Sequence, residues 1–169
     1  MVSQSGRSAG FALGLSIMVA MAAQGSLAAD IVHTQSDESP IAKMVTVPTG
    51  TTTYYLSGMQ APVANPSAPK GSVESYGDTK TQTVGALTEI KKALAAQNLD
   101  MGDVVMMHVY LVGDPAKDGK MDFAGMMEGY KQFFGTKEQP NKPSRSTVQV
   151  AALAGPGYLV EIEVIAAHK

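Results

Sequence analysis

The chain has 169 residues, a length suited to one domain. Cysteine is absent, which excludes disulfides, thiolate metal sites and a cysteine nucleophile. The 13 basic residues are scattered and face 15 acidic ones, for a net charge of −2, so composition gives no electrostatic case for nucleic acid or an anionic membrane.

Residues 1–28 have the pattern of a secretory signal peptide. Arg7 supplies a positive start, residues 11–23 form a short apolar run, and Ser26-Leu27-Ala28 is a small-x-small cleavage site. A spanning helix needs about 20 apolar residues, and Gln24-Gly25 interrupt this run too early. The expected mature chain is therefore periplasmic or secreted, with no membrane attachment after cleavage near Ala28. Without a Cys after the leader, lipid anchoring is excluded.

Residues 29–40 are polar and read as a flexible arm, with His33 solvated in it. Residues 41–47 alternate weakly, residues 48–50 form a turn, and residues 51–57 are β-branched and aromatic. Together they predict an N-terminal hairpin. Residues 61–78 hold Pro62, Pro66, Pro69, Gly71 and Gly77, a long loop without periodicity. Asp78 or Thr79 caps a helix carrying Val84, Leu87, Ile90 or Lys91, and Leu94 at helical spacing, which ends over residues 98–102. Residues 104–112 form an apolar central strand, in which His108 reads as a hydrogen-bonded core or interface residue. A loop over 113–120 leads to a second helix, with Phe123, Met126 or Met127, Tyr130 and Phe133 or Phe134 as a core stripe, ended by Gly135.

Residues 143–166 read as two strands joined by a tight turn at Leu153-Ala-Gly-Pro-Gly157. In the second, Val160, Ile162 and Val164 face one way, and Leu159, Glu161, Glu163 and Ile165 the other. Arg145 opens the first strand and offers a planar fork of donors. A carboxylate such as Glu161 in an otherwise apolar strand needs water, a partner or a ligand. Two readings stay open on pattern alone: an internal Arg–Glu ion pair on a solvated face, or a small site. In the site, Arg145 grips a carboxylate and Glu161 positions a water or moves a proton.

The order β-β-α-β-α-β-β predicts an α+β two-layer sandwich, a mixed sheet with two helices on one face. The other face has no helices left to cover it, which favours oligomerisation. The sequence has no phosphate-binding glycine loop, no Gly-x-Ser-x-Gly elbow and no metal-ligand cluster. Any chemistry therefore uses Arg, carboxylates, hydroxyls, backbone groups and water. No metal and no cofactor are expected.

Pro143-Ser-Arg-Ser-Thr-Val-Gln-Val-Ala-Ala-Leu, followed by Val-Glu-Ile-Glu-Val-Ile-Ala, resembles the C-terminal signature of the RidA/YjgF/YER057c family of enamine/imine deaminases. The likeness runs from about Tyr54 to the end. Ser57-Gly-Met-Gln-Ala-Pro62 is similar to the family's Ser-Gly-Gln-x-Pro with one residue inserted. The resemblance implies residues 41–169 as the domain, a chorismate-mutase-like fold and a homotrimer with clefts between subunits. It also implies Arg145 as carboxylate anchor and Glu161 as the residue orienting the hydrolytic water, with Ser57, Gly58 and Thr147 lining the cleft. The activity so implied is hydrolysis of 2-imino acids, such as 2-iminobutanoate or 2-iminopropanoate, to 2-oxo acids and ammonia. The chain departs from the family at Ser39-Pro-Ile-Ala-Lys43, where active members carry Gly-Pro-Tyr-Ser-Gln, and in its longer 61–78 loop. The alternative is a non-catalytic trimer that binds small carboxylates or 2-oxo acids.

Overall fold

The computed structural model describes Met1 and residues 29–169, so the expected leader lies almost wholly outside the described residues. The elements are β1 (Val32–Thr34), β2 (Met44–Thr46), β3 (Thr52–Met59), α1 (Val73–Tyr76), α2 (Thr79–Ala95), β4 (Val104–Val112), α3 (Phe123–Tyr130), β5 (Ser144–Val150) and β6 (Val160–His168). Four strands form a mixed sheet in the order β3-β6-β4-β5, and β1 and β2 form a separate ribbon. The architecture is the α+β sandwich that the element order predicts.

Both long helices begin where the sequence provides a cap. The Asp78 side chain accepts from the Thr81 amide at the head of α2, and Asp122 accepts from the Gly125 amide at the head of α3. Leu87, Ile90 and Leu94 of α2 and Met126 and Tyr130 of α3 are buried against Met107, Val109 and Leu111 of β4 and Ile162 and Val164 of β6. Period-two alternation turns His108, Tyr110, Glu161 and Glu163 to the face that no helix covers. α3 ends at Tyr130, earlier than the apolar stripe predicts, and the chain turns on to Gly135 at φ 68°.

Two predicted pairings are wrong. The segment at 51–57 does not form a hairpin with 41–47. β3 pairs antiparallel with β6, while β2 pairs with β1 inside the supposedly loose arm. Likewise β5 and β6 are not neighbours, because β4 lies between them, parallel to β5 and antiparallel to β6. The parallel β4–β5 pair needs a crossover, and α3 provides it. The link over residues 151–159 must then span a whole strand, with strands about 4.8 Å apart, which no tight turn can do.

The 61–78 loop is anchored rather than free. Gly157, at φ 79°, packs so closely on the Ser72 backbone that a Cβ there would overlap it. The Tyr76 and Tyr158 rings lie 4.1 Å apart. Gln82 is fully buried; its amide donates to the Gly77 and Gly157 carbonyls and accepts from the Leu159 amide. It ties the head of α2 to the start of β6.

Candidate functional site

The five residues singled out from sequence fall into two groups. Arg145 and Thr147 lie on β5, an edge strand, beside Met107 and Val109 of β4 on the helix-covered face. Glu161 lies on β6 beside Tyr110, on the open face, with Ser57 and Gly58 at the end of β3. Met107 and Tyr110 are three residues apart on one strand, so Arg145 and Glu161 point to opposite sides of the sheet. The internal Arg145–Glu161 ion pair does not form.

Arg145 sits on α3. Its guanidinium carbon lies 4.3 Å from the centre of the Tyr130 ring and 6.0 Å from that of Phe123, which is 44% exposed. One terminal nitrogen points at the Met127 sulfur at 3.2 Å and the other at the Met126 sulfur at 4.0 Å. Thioether sulfur is a weak acceptor. Among the described residues, the guanidinium donors thus meet two sulfurs and aromatic faces but no oxygen. Burial lowers the Arg145 pKa from its ordinary value, against an opposing effect of Tyr130. An arginine nonetheless stays charged. Burial also raises the Tyr130 hydroxyl. The Thr147 hydroxyl on the same face is buried and without a partner among the described residues. The arrangement is a cation on an aromatic seat, with its fork available to a bidentate anion.

Glu161 is held differently. The register slips by one residue between Leu56 and Met59, so β3 carries a bulge over Ser57 and Gly58. This bulge brings Gln60 to Glu161, where the amide donates to one carboxylate oxygen at 2.7 Å. The other oxygen lies over Gly58, and a Cβ there would overlap it. A side chain at position 58 would therefore push the Glu161 carboxylate aside, a constraint set by this close approach and not by the backbone angle.

Beyond Glu161 the open face carries a second polar group. Glu163 accepts from His108 Nδ1 at 2.8 Å and from the Tyr110 hydroxyl at 2.9 Å. The hydrogen bond to Glu163 raises the Tyr110 pKa above its ordinary 10.0. Ser57 lines a cleft of about 230 Å³ with Tyr55, His108 and Glu163. His108 is therefore a paired residue of the open face. Among the described residues, no cluster of three His, Asp or Glu is placed to hold a metal, and no helix is long and apolar enough to cross a membrane.

Sequence reasoning missed Gln60 and the second role of Tyr130, Met126 and Met127. The helical stripe marks these three as core, and Met126 and Tyr130 are buried in it while Met127 is half-buried against it. Nothing in their spacing tells that Arg145 lies across them. Gln60 had one available signal, its place in the Ser-Gly-x-Gln strand end.

The family model described as Endoribonuclease L-PSP matches residues 34–168. The Escherichia coli protein named "Putative reactive intermediate deaminase TdcF" is 38% identical over 93 residues, which span 55% of this chain and 66% of that protein. A "RutC family protein" of Haemophilus influenzae is 34% identical over 140 residues, 82% of this chain and 97% of that one. Among solved structures, Escherichia coli TdcF with bound serine superposes with a TM-score of 0.54 at 29% identity, covering 82% of this chain and 99% of that one.

Proposed function

Because the chain belongs to the Endoribonuclease L-PSP family, the RidA/YjgF/YER057c group, we propose that it hydrolyses reactive enamine and imine intermediates, converting 2-imino acids to 2-oxo acids and ammonia. The observation that supports this reading is Arg145, a half-buried guanidinium whose donors meet no oxygen among the described residues. Such a fork suits the α-carboxylate of an imino acid. The relative crystallised with serine binds a small molecule with that same group.

The chemistry asks little of the protein. A protonated C=N carbon is already electrophilic, so holding the carboxylate and delivering water to that carbon is sufficient. Glu161, fixed by Gln60, orients the water and takes its proton as the C–O bond forms. Glu161 then returns the proton to the nitrogen of the resulting carbinolamine, and the C–N bond breaks to release ammonia as the hydroxyl gives its proton to Glu161 and the C=O forms. Gly58 and Ser57 line the Glu161 side, and Thr147 lines the Arg145 side. Because the two groups occupy opposite faces, we assign each complete cleft to two subunits of a homotrimer, one giving Arg145 and Thr147, the other Ser57, Gly58 and Glu161. The leader over residues 1–28 puts this activity outside the cytosol in this reading, and cell fractionation checks it. The net charge of −2 offers no phosphate-tracking surface for an RNA substrate.

Imine hydrolysis is tested with an amino-acid oxidase as the source of imino acid and semicarbazide as the competing trap. Wild type is expected to compete with the trap, and Arg145→Ala is not. A folded wild type that fails to compete would sink the deaminase reading. The second reading, a non-catalytic binder of 2-oxo acids, is favoured by the absence of a tyrosine at residues 39–43. Its signature is Arg145-dependent heat on titration with 2-oxobutanoate, without turnover.

A further inference from the structure

We infer that the N-terminal arm, acting through Tyr130 and Lys142, positions Arg145, so that residues 33–42 belong to the binding site although none of them supplies the anchor. This rests on the reading of Arg145 as the carboxylate anchor.

Arg145 enters on an edge strand, from the extended segment 140–143. The arm grips that segment repeatedly. The Gln35 side chain donates to the Pro140 carbonyl at 3.0 Å and accepts from the Lys142 amide at 2.8 Å. His33 Nδ1 lies 2.8 Å from the Lys142 carbonyl; a carbonyl only accepts, so Nδ1 carries the proton. The Ala42 amide donates to the Pro143 carbonyl at 3.0 Å, two residues before Arg145. The Lys142 ammonium, on a residue only 8% exposed, donates back to the Ser36 and Ser39 carbonyls at 3.0 and 2.8 Å.

The arm also reaches the other end of the arginine. The Tyr130 hydroxyl donates to the Pro40 carbonyl at 3.0 Å, while the ring of Tyr130 supports the guanidinium. With only sulfur as acceptor, the plane of the fork is set chiefly by that ring. Bidentate capture of a carboxylate tolerates misalignment of only about 10–20°. The arm therefore fixes both the strand that bears Arg145 and the ring beneath it.

The test uses Tyr130→Phe, which keeps the ring and loses the bond to Pro40, and Lys142→Met, which keeps length and loses the ammonium. Two readouts apply: steady-state kinetics on oxidase-generated imino acid, and the Arg145 Nε–H signal in nitrogen-edited NMR. Each variant should raise KM by roughly three- to tenfold with kcat nearly kept, as expected for the loss of one hydrogen bond in Tyr130→Phe and two in Lys142→Met, neither of them to the substrate. The Arg145 signal should shift or broaden in both, while melting shows them folded. If kcat falls at unchanged KM, or the Arg145 signal stays as in wild type, the inference is overturned. If wild type shows no turnover, the deaminase reading fails, and the NMR signal alone decides this one. If one variant does not fold, the other carries the test.

Discussion

The two faces of the sheet treat their polar groups differently. On the covered face, Arg145 lies among methionine sulfurs and aromatic rings, and Gln82 is fully buried with every amide group used. On the open face, Glu161 and Glu163 accept from neighbouring side chains with solvent beside them. A polar group on the covered face exerts its full strength in a low-dielectric setting, whereas one on the open face competes with water. The sheet thus carries Arg145 of β5 on one side and Glu161 of β6 on the other. A protomer that carries both does not bring them together.

The largest expected effect follows from that separation. Arg145→Ala and Glu161→Gln proteins should each be inactive. If every cleft draws these residues from two subunits, unfolding and refolding them together should restore about a quarter of wild-type activity, the share of random interfaces carrying both native residues. No recovery, with mixed trimers shown by mass, would mean one subunit supplies both. Next comes stability on the covered face. Gln82→Leu strands the Gly77 and Gly157 carbonyls and the Leu159 amide, and should cost about 3 kcal/mol in urea unfolding. A cost no larger than that of an open-face change would erase the contrast between the faces.

Gly58→Ala sharpens the open-face side. The added methyl pushes the Glu161 carboxylate off its position, yet a side-chain end moves cheaply. Activity should fall roughly tenfold while the melting temperature barely changes. Unchanged turnover would mean that the position of Glu161 is not critical. The smallest effect is expected at Glu163→Gln, below about 1 kcal/mol because the pair is partly solvated. Its clearer sign is spectroscopic. Loss of the carboxylate should let Tyr110 titrate closer to its ordinary 10.0 in an ultraviolet absorbance titration. Because the folded-state value is raised, the linked stability is present below pH 10.0 and is lost as pH rises through the higher value. A Tyr110 titration unmoved by the substitution would remove Glu163 as its cause.

Much of the fold was legible because it depends on local chemistry. Asp78, the Leu87–Ile90–Leu94 spacing and the alternation in residues 158–166 fix helix and strand faces through periods of 3.6 and 2. Residues 143–161 likewise marked Arg145 and Glu161 as costly for their setting, since a charge in a strand needs a partner wherever the strand goes. Which strands pair was not legible. Hairpins were expected at 41–57 and 143–166 because neighbours in sequence usually pair. A parallel β4–β5 crossover through α3 displaced one and the β1–β2 ribbon the other, since burying both helices on one sheet face outweighs local adjacency.

The sequence by itself determined the two long helices with their caps, the strands of the main sheet with the alternation of their faces, and the residues worth watching, but not β1 in the arm or α1 in the 61–78 loop. Tertiary structure alone decided that Arg145 lies on Tyr130, that Gln60 reaches Glu161 across a bulge, that the arm grips residues 140–143, and that Arg145 and Glu161 stand on opposite faces. The physical reason is range. Propensity and periodicity act over a few residues, but these contacts join residues from 15 to about a hundred positions apart, and only the register of the sheet sets which of them meet.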